Sequence, residues 1–446
     1  MHETLRLAEH VSNLRFEDVP ESLVAELKVL TLDYLGVALR GSTTDSARIV
    51  AGFQAEYGAA RREATIIGTG ARVSAQAAAF ANAVASHSIE LDDVDELALF
   101  HFSPPVLSAA LGAAEAGGVN GKAYLLAAAV GSEVMARVSS ATNPAMRDRG
   151  FHSTATCGVF GAAAAAASAE GLSPAGTASA FGIAGAHAAG LMEMYGPSMQ
   201  KRMNPGPAAQ NGVVAARLAR RGYTGADTIF EGERGVLRAF ADGGNPEALV
   251  EGLDSEYPVR IEYKAYACAR PIHNAVDCAL LLRGRLAGRF PEIREMMIFR
   301  HPAWARYHQI ASPRSHHEAQ VSLNHAVAVA FVEGAAFLDQ FQEDFLAHPE
   351  VQRLSRMLQF HEDPGLPRGV SCRLRVTLAS GESLEAQVDY PKGSLQNPMT
   401  PEDHWRKFQS LAGARFSAAR LEEIRDTVGH LEDLGGIGEL TKLLAD

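Results

Sequence analysis

Runs of alanine and glycine constrain the fold of this chain more than any other feature. The longest stretch of low polarity, from Thr154 to Ala169, is mostly alanine and glycine, and "YLLAAAVGSEVMARV" has the same character. Alanine has the highest helix propensity of all residues, and its short side chain lets helices approach closely. The first 240 residues therefore predict closely packed helices. At about 16 residues, the longest run is too short to cross a bilayer, which takes roughly 20 apolar residues, so we expect no membrane association.

The pattern of apolar residues changes in the second half of the chain. Apolar and charged residues alternate from 259 to 263, and apolar and polar residues alternate in 372–378 and 384–390 around the turn "ASGES". Alternation with a period of two is typical of β-strands. The last two segments predict a β-hairpin. Helical spacing is found in 274–288 and 316–333.

The length of 446 residues favours more than one domain, because single cores rarely grow beyond about 250–300 residues. We predict a mainly α protein with a large all-helical domain, formed by residues 1–257 and 391–446. A smaller α+β lid domain, residues 258–390, is inserted into it. A substrate pocket is expected between two such domains.

The charge and the cysteines limit the class of protein. The net charge of −11 argues against nucleic acid as a partner, because phosphate backbones attract basic surfaces. Four scattered cysteines without a CxxC pair predict reduced thiols. The first 20 residues lack the apolar core of a signal peptide. We therefore expect a cytoplasmic enzyme or binding protein.

The stretch "SMQKRMNPGPAAQNG", residues 198–212, places two cations beside alanine-rich segments. Lys201 and Arg202 are adjacent, and small residues follow them. In a protein with a negative net charge, an anionic ligand needs a locally positive pocket. The stretch predicts a site for a small organic acid with two or three carboxylates.

The acidic stretch "IELDDVDELALFH" has two interpretations. Its aspartates could hold Mg²⁺ for a diphosphate, as DDxxD motifs do in helical isoprenoid enzymes, but the second acidic motif that such enzymes need is missing. The alternative is a solvated helix end, with acids elsewhere positioning His101 by hydrogen bonds.

Histidines near predicted helix starts are the candidates for chemistry. His152 precedes an alanine-rich helix, and His273 follows Lys264 and Arg270 at another helix start. A histidine can move a proton next to a carboxylate while a cation stabilises the enediolate. No nucleotide-binding or zinc motif is present, and His317 and His325 would lie about 12 Å apart along one helix. We therefore expect neither a metal nor a cofactor.

Several blocks in a fixed order resemble the MmgE/PrpD family, which includes 2-methylcitrate dehydratase, cis-aconitate decarboxylase and iminodisuccinate epimerase. The blocks are "HSIELDDVD", "GFHSTATCGVFGAAAAAA", "KRMNPGPAAQNGVVAARLARRGYTGADTIFEGERG", "YKAYACARPIHNAVD", "EAQVSLNHAVAVAFVEG" and "YPKGSLQNPMT". The resemblance implies a helical domain with an α+β lid, a metal-free site between them and a homodimer.

The resemblance also implies site residues. The catalytic positions are His101, His152, Lys201, His273 and His325. The positions implied for substrate binding are Glu90 and Asp93 of the acidic block, together with the cations Arg202, Lys264 and Arg270.

Three positions depart from the pattern of the family. Val94 stands where a threonine is usual, Asn204 replaces a histidine, and His325 replaces a lid tyrosine. A phenol and an imidazole differ by several pKa units. Proton delivery at residue 325 must therefore differ from that in relatives with tyrosine.

Several functions fit these residues. The leading hypothesis is a cofactor-independent dehydratase-type lyase acting on a small di- or tricarboxylate. His152 or His273 would be the base, and His101 or His325 the acid. The second is an epimerase of an imino- or amino-dicarboxylate, in which His325 supplies a second base, and the third is a decarboxylase. A binding protein without activity is the alternative from another class.

Overall fold

The computed structural model describes residues 2–98, 100–194, 198–253 and 255–445. The chain forms two compact units, Met1–Ile261 with Pro401–Asp446, and Glu262–Thr400. Helices hold 57% of the residues and strands 9%, so the prediction of a mainly α protein is confirmed.

Helices form most of the first unit. They are α1 (Glu3–Asn13), α2 (Glu21–Gly41), α3 (Asp45–Tyr57), α4 (Ala75–Ser86), α5 (Ser103–Gly117), α6 (Gly121–Thr142), α7 (Ala145–Asp148), α8 (Ser153–Thr156), α9 (Gly158–Ala169), α10 (Pro174–Gly185), α11 (Gln200–Met203), α12 (Pro205–Arg220) and α13 (Val236–Ala241). After the second unit, the chain returns with α20 (Pro401–Ala412), α21 (Ala418–Gly429) and α22 (Gly438–Lys442). A short antiparallel pair, β1 (Ala64–Thr65) with β2 (Arg72–Val73), also lies here, so the unit is not wholly helical.

The alanine-rich helix α9 lies at the centre of this unit and packs against α5, α6, α10 and α12. Glycines bring these helices unusually close together. A Cβ atom added to Gly161 would lie 2.7 Å from the carbonyl oxygen of Gly131 on α6, and one added to Gly212 would lie 2.6 Å from the carbonyl carbon of Ala162. Glycine is therefore required at these two points, where α6 and α12 approach α9 most closely.

We expect Gly212→Ala to lower the free energy of unfolding by about 1–3 kcal/mol, the usual cost of overpacking a core. The matched control is Gly52→Ala on α3, where an added Cβ meets no atom within 4 Å. That change should stabilise the helix by up to about 1 kcal/mol, because alanine has the higher helix propensity. Chemical denaturation of both variants measures the difference. Equal effects would contradict the close packing of α12 on α9.

The second unit contains a four-stranded sheet. Its strands are β3 (Ile293–Arg300), β4 (Leu358–Glu362), β5 (Cys372–Leu378) and β6 (Ser383–Val388), in the order β4-β3-β5-β6. Strand β3 runs parallel to β4 and antiparallel to β5. Its helices are α14 (His273–Leu286), α15 (Pro302–Ala305), α16 (His316–Gln320), α17 (Leu323–Glu333), α18 (Glu343–Leu346) and α19 (Pro349–Met357). Helix α14 packs on β5 and β6.

The hairpin predicted from the alternating pattern is present as β5 and β6. Two other predictions for this region are wrong. Residues 259–263 form no strand of either sheet, although Ile261 and Tyr263 are buried. The helix predicted over 316–333 is two helices, because the Ser322 hydroxyl accepts a hydrogen bond from the His325 backbone N–H at 3.0 Å and starts α17.

No helix within the described ranges is both long enough and apolar enough to cross a membrane.

Candidate active site

The aspartates of the acidic stretch lie in the connection between α4 and α5. Asp92, Asp93 and Asp95 are each at most 1% exposed. The Asp95 carboxylate accepts hydrogen bonds from the backbone N–H groups of Leu97 and Ala98, at 3.0 and 2.8 Å. The interpretation as a solvated helix end is therefore wrong. Hydrogen bonds and ion pairs within the protein engage these acids.

Asp93, predicted to bind substrate, caps helix α5. Its carboxylate accepts hydrogen bonds from the backbone N–H groups of Phe102 and Ser103, at 2.7 and 3.0 Å, and from the Ser103 hydroxyl at 2.5 Å. Burial raises the pKa of Asp93 to about 7, and the charge of Asp92 acts in the same direction, while the three donors oppose the rise. Asp93 therefore fixes the start of α5.

The raised pKa of Asp93 predicts a dependence of stability on pH. Between pH 4 and pH 7 the folded protein keeps a proton that the unfolded chain has lost, so the contribution of this group to stability falls as pH rises. Asp93→Asn cannot titrate. We expect the Tm of this variant, relative to wild type, to rise from pH 4 to pH 7 in thermal melts. A constant difference would contradict the raised pKa.

Glu90 joins the two cations of the 198–212 stretch. Its carboxylate pairs with the Lys201 ammonium and lies 2.6 Å from the Arg202 guanidinium. The Glu90 side chain is 1% exposed and that of Arg202 5%, whereas that of Lys201 is 11% exposed. The backbone of Glu90 has φ = 58°, a left-handed conformation that is uncommon outside glycine. These three groups carry one net positive charge, and Lys201 is the member that reaches the surface.

The C-terminal segment of the first unit supports this loop. Lys407 on α20 donates a hydrogen bond to the carbonyl oxygen of Leu91 at 2.7 Å and pairs with Asp33 on α2 at the same distance. The side chain of Lys407 is 4% exposed. The loop between Glu90 and Asp92 is therefore held by a residue more than 300 positions further along the chain.

Three histidines lie close together beside this loop. The His87 ring centroid lies 5.1 Å from that of His101 and 6.1 Å from that of His152. His87 Nδ1 is hydrogen-bonded to the Asp92 carboxylate at 2.6 Å, and His101 Nδ1 lies 3.3 Å from the same oxygen. His101 and His152 were predicted from the sequence as catalytic residues. Asp92 was considered only as one of the aspartates of the acidic stretch, and no role was predicted for His87.

The hydrogen bonds of these rings indicate different tautomers for two of them. His101 Nδ1 contacts the carbonyl oxygen of Asp93, which can only accept, so Nδ1 carries the proton and Nε2 is the basic nitrogen. His152 Nδ1 lies 3.2 Å from the Asn204 amide nitrogen, which donates, so the His152 proton is on Nε2. Asn204 thus takes part in the site at one of the positions where the sequence departs from the family pattern.

Burial keeps His152 neutral. Desolvation lowers its pKa well below the ordinary value, and His87, His101 and Lys201 lower it further. Burial also lowers the pKa of His87, against the attraction of Asp92. Neutral His152 can donate a hydrogen bond through Nε2–H, while His101 can accept a proton at Nε2.

The described residues contain one group of side chains that could hold a divalent cation. The ligating atoms of His87, Asp92 and His101 all lie within 4.8 Å of one another. The Nδ1 atoms of both histidines contact acceptor oxygens, so a metal that binds through Nδ1 would have to displace its proton.

The remaining predicted residues lie in the second unit. His273 begins α14, and its Nε2 lies 3.2 Å from the carbonyl oxygen of Cys268. Arg270 pairs with Glu262 at 2.8 Å, and both side chains are buried. Lys264 is 1% exposed. The backbone N–H of Ala269 in this segment donates to the carbonyl oxygen of Gln320 at 2.9 Å.

His325 lies in the first turn of α17 and is 2% exposed. Its Nε2 donates a hydrogen bond to the carbonyl oxygen of Gln340 at 2.9 Å. Burial lowers the pKa of His325, and this hydrogen bond opposes the effect. At neutral pH the ring is therefore neutral, with Nε2 committed to a backbone carbonyl.

Known proteins resemble the chain over nearly its whole length. The cis-aconitate decarboxylase-like protein oryM of Aspergillus oryzae is 30% identical and covers 99% of this chain and 97% of its own length. The cis-aconitate decarboxylase of Aspergillus terreus is also 30% identical, over 99% of this chain and 95% of its own. The 2-methylcitrate dehydratase-like protein oryR of Aspergillus oryzae is 31% identical over 24% of each chain.

Two family models account for most of the sequence. The MmgE/PrpD N-terminal domain matches residues 5–249, and the MmgE/PrpD C-terminal domain matches residues 266–433. The first match contains the histidine cluster with Glu90 and Lys201, and the second contains His273 and His325. The chain belongs to the MmgE/PrpD family.

Proposed function

We propose that this protein is a lyase that moves a proton at a carbon next to a carboxylate of a small di- or tricarboxylate. The observation that carries the proposal is the pairing of opposite tautomers beside a cationic group. His101 offers a basic nitrogen and His152 an N–H donor. The net positive charge of Glu90, Lys201 and Arg202 supplies a place for a carboxylate.

Loss of water is the first candidate reaction. His101 Nε2 removes the proton from the carbon, and the neutral His152 N–H stabilises the negative charge that forms on the carboxylate oxygens. The carbon–oxygen bond to the hydroxyl then breaks. The imidazolium of His101 returns its proton to that hydroxyl, so that water leaves and an alkene remains.

Decarboxylation is the second candidate, and the relatives favour it. The relatives that cover 99% of this chain are named cis-aconitate decarboxylases, or like them, whereas the dehydratase-like relative covers 24%. In this reaction the bond to one carboxylate breaks, CO₂ leaves, and the imidazolium of His101 protonates a carbon. Dehydration starts with neutral His101 and decarboxylation with protonated His101, so the two reactions have opposite pH dependence at this group.

Proton NMR in D₂O with a panel of acids tests the proposal. The panel contains 2-methylcitrate, citrate, cis-aconitate, malate, tartrate, aspartate and iminodisuccinate, with EDTA present and His101→Asn as the background control. A new alkene with loss of water indicates the dehydratase. Loss of CO₂ with deuterium in the product indicates the decarboxylase. Deuterium at the α-carbon without a new skeleton would replace both by an epimerase, and no change in any acid would contradict the proposal.

A further inference from the structure

The carboxylate of Asp92 is shared by two histidines. One of its oxygens is 2.6 Å from His87 Nδ1 and 3.3 Å from His101 Nδ1. All three groups belong to the segment from the end of α4 to the start of α5. Asp92 and His87 are 1% exposed, whereas the side chain of His101 is 13% exposed. Of the two rings that Asp92 holds, His101 is the one that reaches the surface.

Because two histidines contact the Asp92 carboxylate, each ring changes the electrostatic effect of this carboxylate on the other. A carboxylate stabilises an imidazolium next to it, and a hydrogen bond from another donor withdraws part of its negative charge. In this buried loop the dielectric is low, so the loss of charge is felt more strongly than in water. The short hydrogen bond from His87 therefore weakens the attraction between Asp92 and a proton on His101.

The two ring nitrogens of His87 differ in their hydrogen bonding. His87 Nε2 is buried and has no hydrogen-bond partner among the described residues. A buried polar atom without a partner lowers the stability of the folded protein by about 1–3 kcal/mol. An apolar side chain would therefore suit this position better if packing were its only function. The Nδ1–H donor to Asp92 is what an imidazole provides here and an apolar side chain would not.

Among the described residues, the charged and titratable groups around His87 are Asp92 and Glu90 on its own loop, Lys201 on α11, and the rings of His101 and His152. Asp93 also faces His101 through its carbonyl oxygen. None of these is removed by a substitution at residue 87.

We propose that His87 is a positioning residue that shares the Asp92 carboxylate with His101 and thereby sets how tightly His101 binds a proton. This deepens the proposed function, since it rests on His101 as the proton-transfer residue. His87 touches no reacting atom in this scheme. It acts on the reaction only through Asp92.

The test is an NMR titration of the full chain labelled with ¹³C at histidine Cε1, which needs no substrate. The protein has 16 histidines, and the His101→Asn variant assigns the resonance of His101. Two substitutions are compared with wild type. His87→Leu removes the donor and keeps most of the volume, whereas His87→Asn places an amide N–H close to the position of Nδ1.

We expect His87→Leu to raise the titration midpoint of His101 by about one pH unit, because Asp92 regains its charge. His87→Asn should stay close to wild type. Equal midpoints in wild type and His87→Leu would overturn the proposal, and so would His87→Asn behaving like His87→Leu. A loss of Tm in both variants without a shift would show a packing role instead. Failure of the acid panel in wild type would overturn the proposed function without changing this titration.

Discussion

Lys201→Ala should lower kcat/KM by about a hundred- to a thousand-fold, the usual effect of removing one charged donor from a preorganised site. Lys201 is the member of the cationic group that reaches the surface, and its ammonium would bind a substrate carboxylate. The substitution also leaves the Arg202 guanidinium 2.6 Å from the buried Glu90 carboxylate. Steady-state kinetics with the acid that turns over in the panel measure the loss.

Two further variants separate binding from folding. Lys201→Met keeps a side chain of similar length and leaves the buried Glu90–Arg202 pair in place, so the fold should survive and the activity should not. Lys122→Ala is the control, because Lys122 has a 48% exposed side chain and pairs with the exposed Glu17 at 3.5 Å. Activity within threefold of wild type in Lys201→Ala would remove Lys201 from the site.

His101→Asn should lower kcat by about 10²- to 10⁴-fold, the range for loss of a general base. The asparagine amide can replace Nδ1–H as the donor to the Asp93 carbonyl oxygen, so the loop should keep its conformation. The basic Nε2 is lost. The substitution removes the basic Nε2 but keeps a donor to the Asp93 carbonyl oxygen. The loss should therefore appear in kcat more than in KM.

The matched control for His101 is His430→Asn. His430 is exposed, and its Nδ1 is hydrogen-bonded to the carbonyl oxygen of Asp426 at 2.9 Å, so it too contacts a backbone acceptor through Nδ1. We expect no change in kcat for this variant. A rate for His101→Asn close to wild type would assign the base to another group and would contradict the tautomer argument.

The helical part of the fold could be predicted because its signals are local. Alanine-rich runs and Ser-Pro starts predict helices directly, as at Ser173, whose hydroxyl accepts a hydrogen bond from the Gly176 N–H at the start of α10. Strand β3, "IREMMIFR", was missed because it is paired on both sides and its apolar residues run together. Residues 259–263 alternate in sequence without a neighbouring strand. Glu262 is buried together with Ile261 and Tyr263, so the alternation does not mark one buried side of the segment.

The candidate site was only partly predictable. The resemblance led to Glu90, His101, His152 and Lys201, and the structure places these in one unit beside the same loop. It gave no role to His87, although that residue is the first of the block "HSIELDDVD" and follows the last residue of α4. Burial decides its role, and one sequence does not reveal the burial of a polar residue.

Long-range partners were beyond prediction for a related reason. Asp93 caps a helix that begins ten residues later, and Lys407 reaches the loop from the other end of the chain. Neither spacing corresponds to a local capping pattern. Asn204 stands out in the sequence as a departure from the family, but its hydrogen bond to His152 appears only in three dimensions.

A crystal structure with an unreactive tricarboxylate, propane-1,2,3-tricarboxylate, tests the central claim most directly. We expect a carboxylate oxygen within about 3 Å of Lys201 Nζ, at hydrogen-bond distance. We also expect an adjacent carbon within about 3.5 Å of His101 Nε2, at near-attack distance. A ligand bound away from the Glu90–Lys201–Arg202 group, or one that places no carbon near His101, would contradict it.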